Sequence, residues 1–230
     1  MVTNGSKERL FDGFAAVGKA LSSGRRLQLL DVLAQGPRSV ERLAGEIDQS
    51  VANTSSHLRV LLGAGLVTTE RDGNRIVYRL AGEPVEDLWT ALRAATEAHT
   101  AALDRLVADY VGDRDALELI TRAELADRLR DHPPPVVLDV RPAAEFLAGH
   151  VPGALSVPPD DLAATVDRLP HGSDVVAYCR GAFCIYADDA VRALRGRGHR
   201  ATRMEDGFPE WRRAGLPVAV GGDGSAEVAR

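Results

Sequence analysis

The residues best suited to chemistry are two cysteines, Cys179 and Cys184, the only ones in the chain. They close the ends of one short stretch in VVAYCRGAFCIYADDAV, residues 175–191. Val175, Val176, Ala177 and Tyr178 make an apolar, β-prone run before it, and Ile185, Ala187, Ala190, Val191 and Leu194 recur after it at helical spacing. The segment reads as strand, cysteine loop, helix. A helix start offers unpaired N–H groups and the positive end of its dipole to the loop before it, which stabilises a thiolate there. With Arg180 alongside, such a thiol can titrate well below the free value of about 8.5. The competing reading is a buried structural cysteine. Gly181 and Ala182 leave the loop backbone free to curl, and both thiols fall in the turn, which favours a reactive pair.

The elements that must position this loop follow from the pattern around it. After about Gly112, apolar β-type runs at 136–140, 155–157, 175–178 and 201–204 alternate with helical segments, which predicts a parallel α/β sheet. The first 110 residues read differently, as helices over 7–22, 24–35, 39–47 and 51–65 and a long one over 83–111. Gly36-Pro37 breaks the chain before Ser39, a natural N-cap. LVTTERDGNRIVYRL, residues 66–80, alternates apolar and polar around Asp72-Gly73-Asn74 and predicts a hairpin with a charged tip. The expected division is 1–112 for a mainly α domain, 113–220 for an α/β domain, and 221–230 for a disordered tail with nothing to pack.

With 230 residues, 45% apolar and 27% charged, the composition is that of an ordinary globular protein of one or two domains. No apolar run approaches the length of a membrane span, and the polar start MVTNGSKERL lacks the apolar stretch of a signal peptide, so the expected location is the cytoplasm, away from membranes. There, two cysteines point to catalysis or redox sensing more than to a structural staple. The net charge of −5 divides unevenly: 13 basic against 14 acidic side chains up to Gly112, and 15 against 19 after it. Neither part is basic as a whole, so any DNA-binding face must be a local patch.

Three helices, a further helix and a hairpin follow the order of a winged helix-turn-helix. Residues 20–80, ALSSGRRLQLLDVLAQGPRSVERLAGEIDQSVANTSSHLRVLLGAGLVTTERDGNRIVYRL, resemble the ArsR-type family of bacterial repressors. The most telling piece is SSHLRVLLGAGLV, where Ser55, His57 and Leu58 match the family's recognition-helix pattern. Val51, Leu58, Leu61 and Leu62 are expected to share the inward stripe of that helix, leaving Ser50, Asn53, Ser56 and Arg59 exposed. Short polar side chains suit base edges and arginines suit phosphates, with Arg71, Arg75 and Arg79 added by the wing. The resemblance implies double-stranded operator DNA as partner and a homodimer. A dimer seam is expected from Trp89, Leu92, Leu103, Leu106 and Tyr110 of the long helix. No metal site is expected: VERLAGEI holds no thiol where the family places its cysteine pair, and Asp87, Glu97, His99 and Asp104 include only one histidine. His132, His171 and His199 are read as residues of polar loops.

From about Leu117 to Val220 the chain resembles the rhodanese family of sulfurtransferases. LDVRPAAEFLAGHVPGALSVP matches the early signature through Asp139, Arg141, Glu145, Phe146, Gly149, His150, Pro152, Gly153 and Ala154. MEDGFPEWRRAGLPV matches the late one through Gly207 and Trp211. Asp139 and Arg141 are expected to pair near a strand end, with Arg141 a neighbour of the site. The resemblance makes Cys179 the nucleophile that becomes a persulfide, cradled by the N–H groups of Arg180, Gly181, Ala182, Phe183, Cys184 and Ile185. The phosphatase cousins of this fold close a loop one residue longer with arginine, and Ile185 stands at that position. Many rhodaneses carry a basic residue where this chain has Cys184. A second thiol there can attack a persulfide or sulfenate on Cys179 and close a disulfide.

The expectation is a two-domain protein, a mainly α winged helix-turn-helix followed by a rhodanese-like parallel sheet. Its function is transcriptional repression controlled by small sulfur species or oxidants acting on Cys179 and Cys184, without a cofactor. The alternatives are a working sulfurtransferase tethered to DNA for localisation or autoregulation, and a rhodanese domain that serves only for docking.

Overall fold

The computed structural model describes residues 4–99, 101–112, 114 and 117–222, and the side chains of Asn4, Glu97 and residues 101–104 are outside the description. The chain divides into two compact units, Met1–Thr100 and Ala101–Arg230. That division falls within the helix expected over 83–111, whereas the change of composition in the sequence comes at Gly112.

The first unit runs α1 (Asn4–Leu21), α2 (Gly24–Ala34), β1 (Arg38–Ser39), α3 (Val40–Glu46), α4 (Val51–Gly63), β2 (Val67–Asp72), β3 (Arg75–Leu80) and α5 (Glu83–His99). Leu29, Leu30, Leu33, Leu43, Leu58 and Leu61 form its core, closed on the sheet side by Tyr78 and Leu80. The Ser50 hydroxyl accepts the Asn53 N–H and so starts α4 where the polar cap meets the apolar stripe. Asp72 faces Arg75 across the hairpin, and Gly73 at φ +57° supplies the left-handed residue that a two-residue turn requires. β1, two residues long, pairs with β3, an element too short to announce itself by alternation.

In the second unit the order is α6 (Ala101–Val111), β4 (Leu119–Ile120), α7 (Arg122–Arg128), β5 (Val136–Asp139), α8 (Ala143–Ala148), β6 (Leu155–Ser156), α9 (Leu162–Val166), β7 (Asp174–Cys179), α10 (Ile185–Gly196), β8 (Arg200–Gly207) and α11 (Phe208–Arg213). The helix expected over 83–111 is helical throughout its described residues, labelled α5 and α6 on either side of Thr100, which lies outside them. Five parallel strands in the order β4-β8-β7-β5-β6 make the sheet. One core lies around Leu138, Val175, Ala177, Val191 and Leu194, another around Val176, Tyr178, Met204, Phe208 and Trp211. Alternate residues of β7 thus face different cores, as a strand covered on both sides must.

Parallel strands bring their C-terminal ends to one edge: Asp139, Cys179 and Gly207 all end strands there. The tail expected over 221–230 is held at its first residue, where the Gly221 N–H donates to the Leu147 carbonyl, and residues 223–230 lie outside the description. No described helix is long and apolar enough to cross a membrane.

Candidate functional site

The cysteine loop springs from the C-terminal end of β7. Cys179 is the last residue of that strand, 1% exposed, and not part of the turn as its sequence position suggests. It packs among Val175, Ala177 and Ala187, so β7 carries its alternation one residue further than the apolar run shows. Cys184 is the N-cap of α10 and half-buried. The two are joined by a disulfide with their Cα atoms 6.1 Å apart, within the usual span for such a link.

Beneath the loop is a buried ionic floor. Asp188, in the first turn of α10, is fully buried and pairs with two arginines: its Oδ2 with Arg114 at 2.5 Å, its Oδ1 with Arg203 at 2.6 Å. Arg114 also donates to the carbonyls of Ala182 (2.6 Å) and Cys184 (3.4 Å), and Arg203 to those of Gly181 and Ala182, both at 3.1 Å. Burial pulls Arg203 below the usual arginine value; Asp188 opposes this and the like charge of Arg114 adds to it. In a trans peptide the N–H points opposite to the preceding carbonyl. Pinning those carbonyls on the arginines therefore turns the N–H groups of Ala182, Phe183 and Ile185 away from the floor. The Cys184 N–H is engaged instead by the Gly181 carbonyl at 3.1 Å, which removes it from the expected set of donors.

Gly207 supports the loop from β8. The register slips between Ala177 and Cys179, so that Arg203 faces Ala177 and Gly207 faces Cys179. This irregularity brings the Gly207 backbone against the loop: a Cβ there would lie 2.3 Å from Arg180 and Gly181 main-chain atoms. Close approach, and not backbone conformation, requires the glycine of the late signature.

Arg180, next to Cys179 in the sequence, is engaged by a carboxylate remote in the chain. Its guanidinium grips the fully buried Glu145 of α8 through Nε (3.0 Å) and Nη2 (2.5 Å), a pairing that an uncompensated buried carboxylate demands. Arg141 likewise pairs with Asp139 as the spacing suggests, but it points at the carbonyl of Gly149 (2.7 Å) and the Phe208 ring, not at the cysteines. Burial disfavours its charge, yet the hydrogen bonds and charge of Asp139 outweigh that and hold it above the usual arginine value. Asp139 also accepts the Tyr178 hydroxyl at 2.6 Å, and burial together with that carboxylate pushes Tyr178 well above an ordinary phenol. These early-signature residues brace the strand end next to Cys179.

The second candidate surface belongs to α4 and the wing. Ser50, Asn53, Ser56 and Arg59 are exposed, Ser55 and His57 half-buried, and Arg71, Arg75 and Arg79 exposed on β2 and β3. Arg79 is ion-paired with Glu70 across the hairpin. The inward stripe is Thr54, Leu58 and Leu61; Val51 and Leu62, expected to share it, are 46% and 41% exposed. A helix turns 100° per residue, which rotates Val51 and Leu62 to one side of the line through Thr54, Leu58 and Leu61.

Trp89, expected on a dimer seam, packs on its own unit's core and donates its Nε1–H to Asp31 at 3.2 Å. Leu106 and Tyr110 are exposed, as are Leu10, Phe11 and Phe14 of α1, an apolar stripe that the reading of the last helix passed over. The side chain of Leu103 lies outside the description. His199, read as a residue of a polar loop, is buried beside His171. Among the described residues no group of three His, Cys, Asp or Glu side chains is arranged to hold a metal ion.

Comparison with known proteins adds likenesses to two families, two proteins and one solved structure. Residues 23–69 match the arsR family of bacterial regulatory proteins, and residues 121–214 match the rhodanese-like domain. The chain is 45% identical over 215 residues to the HTH-type transcriptional regulator Rv0324 of Mycobacterium tuberculosis, covering 94% of each. It is 32% identical over 101 residues to a sulfurtransferase of Allochromatium vinosum, covering 44% of this chain and 94% of that protein. It also aligns with the solution structure of a homodimeric winged helix-turn-helix DNA-binding domain (fragment 1–100) from Mycobacterium bovis. There the identity is 41%, over 44% of this chain and 93% of that one, with a TM-score of 0.42.

Proposed function

The chain belongs to the ArsR family of bacterial transcriptional regulators and carries a rhodanese-like domain behind its winged helix, and from that premise we propose that it is a repressor switched by reactive sulfur or oxidants. The observation that carries the reading is the Cys179–Cys184 link across the loop. In this reading residues 1–112 bind operator DNA and dimerise, and 113–220 do the sulfur chemistry, in the cytoplasm. Asn53, Ser55, Ser56 and His57 of α4 face base edges, with Ser50 capping the helix, while Arg59, Arg71 and Arg75 meet phosphates. The exposed apolar side chains of α1 and α6 supply the surface for a second copy.

Two inputs reach the same product. With hydrogen peroxide, the Cys179 thiolate takes one oxygen and releases hydroxide; the Cys184 thiolate then attacks the sulfenic acid sulfur, expels a second hydroxide and closes the disulfide. With an inorganic polysulfide, Cys179 takes a sulfane sulfur and the shortened polysulfide leaves. Cys184 then attacks the inner sulfur of the persulfide and expels hydrosulfide, closing the same bond. The N–H groups of Gly181, Ala182, Phe183 and Ile185 stabilise the anionic sulfur before attack. Arg180 contributes by fixing the loop on Glu145.

The test is mass spectrometry of the full chain after polysulfide or peroxide, alongside operator binding. Cys179→Ser should lose both persulfide and cross-link; Cys184→Ser should keep the persulfide and lose the cross-link. Operator affinity that stays constant while Cys179 is fully modified would sink the switch. A second reading, a sulfurtransferase turning over at Cys179, rests on the partial likeness to the Allochromatium vinosum enzyme. Steady turnover of thiosulfate and cyanide without any change in DNA affinity would favour it.

A further inference from the structure

Arg114 stands apart from the rest of the loop's support because of where it sits in the chain. Helix α6 ends at Val111, and Gly112 closes it with φ +71° and an N–H bond to the Ala108 carbonyl. Two residues later Arg114 has its guanidinium under the cysteine loop, on the carbonyls of Ala182 and Cys184 and the carboxylate of Asp188. Its own carbonyl accepts the Leu117 N–H at 2.8 Å, and Leu117 packs on the core that holds Cys179. The end of α6 at Val111 and this anchor are three residues apart, a reach of at most about 11 Å.

The anchor reads the main chain of the cysteine that forms the cross-link. Closing the disulfide brings the two sulfurs from van der Waals separation, about 3.5–4 Å, to about 2 Å. Cys179 ends the central strand of the sheet, paired with Gly207 of β8 and packed in the core, whereas Cys184 opens a helix, so the displacement falls mainly on Cys184 and the first turn of α10. Those are the groups that Arg114 holds. Arg203 also touches the loop, but it lies within β8 and leads nowhere outside the sheet.

We propose that Arg114 is a positioning residue that couples the Cys179–Cys184 link to α6, and through the chain preceding α6 to the DNA-binding unit. The proposal rests on the switch reading above and names the residue through which the switch acts. Arg203 keeps Asp188 paired when Arg114 is replaced, so the loop should remain folded and competent to cross-link.

The experiment uses the full chain as wild type, Arg114→Gln and Arg114→Lys, with a duplex selected from a random library by the reduced wild-type protein. Affinity is measured by fluorescence anisotropy in the dithiol and disulfide states, poised with reduced and oxidised glutathione; each oxidised glutathione takes two electrons from the thiol pair and leaves as two reduced glutathiones. The glutathione ratio at half cross-linking is then measured with and without saturating duplex. Coupling is reciprocal, so in the wild type the duplex should shift that midpoint by the free energy of the affinity change between states, a factor of about 5–150 for typical coupled sites. Arg114→Gln should cross-link fully and bind the duplex as the reduced wild type does, with both effects near unity. Arg114→Lys, which keeps the charge but not the fork onto two carbonyls, should lose most of the effect and serves if the glutamine variant does not fold. Retention of the wild-type ratio in these variants overturns the role of Arg114 and leaves the switch standing. A wild type whose affinity ignores its redox state overturns both.

Discussion

The two units place their functional groups in opposite ways. On α4 and the wing, short polar side chains and arginines project from an apolar core into solvent. Around the cysteine loop the important groups face inward: Asp188, Glu145, Asp139 and Arg141 are fully buried, and each is matched by a charge or a main-chain group. An exposed surface is built from nearly independent contacts, so single substitutions should act additively on binding and barely touch stability. A buried ionic floor is cooperative: removing the carboxylate shared by two arginines leaves both charges unmatched, and the loop above loses its shape.

The largest effect that could break this comparison is at Asp188. Replacing it with Ala leaves the buried Arg203 and the half-buried Arg114 without their carboxylate and should cost about 3–5 kcal/mol. Thermal unfolding followed in the rhodanese-like unit checks this, and a loss under about 1 kcal/mol would mean that the floor is solvated. Next in size is Gly207→Ala, whose added methyl must displace the Arg180–Gly181 main chain. It should cost about 1–3 kcal/mol, an overpacking effect, and slow the cross-linking of Cys179 and Cys184, read by mass spectrometry after peroxide.

Smaller effects are expected on the exposed face. Asn53→Ala should relax sequence choice at one operator position, at about 1–3 kcal/mol of lost discrimination. Arg59→Ala and Arg75→Ala should weaken binding across sequences and each reduce the slope of log affinity against log salt by about 1, with unfolding unchanged within about 0.5 kcal/mol. Identical operator binding by all three variants would mean that the surface has been misassigned. The smallest effect belongs to Glu70→Gln: the exposed pair with Arg79 contributes about 0–1 kcal/mol. Its loss should leave the melting temperature in place while freeing a wing arginine for phosphate, which a modest gain in affinity at low salt would show.

The same contrast explains what could be read in advance. Ser50, Asn53, Ser56 and Arg59 were legible because exposure on a helix is a matter of period, and polar residues one turn apart announce it. Reading Val51 and Leu62 as buried failed because period says which residues share a face but not where the neighbouring helices centre on it. Arg180 misled for a similar reason: adjacency in sequence puts a charge near a thiol, yet Glu145, remote in the chain, takes that charge. Glu145 stood in a recognised signature, but its nearest basic residue in the sequence is Arg141, four positions earlier, and local spacing gave no sign of its pairing with Arg180. Nothing local distinguishes Arg114 or Arg203 from the chain's other arginines.

The amino-acid sequence by itself determined the mainly α first part and the parallel α/β second part, the hairpin, the strand–loop–helix frame of Cys179 and Cys184, and the exposed residues of α4. Each of these follows from local periodicity, capping and turn chemistry, which act over a few residues. The tertiary structure alone decided the floor of Arg114, Asp188 and Arg203, the grip of Glu145 on Arg180, and the backing of the loop by Gly207. Those contacts join residues up to 74 positions apart, as between Arg114 and Asp188. Their partners are chosen by the cost of burying an unmatched charge where the strand ends of a parallel sheet converge, and that cost exists only once the chain has folded.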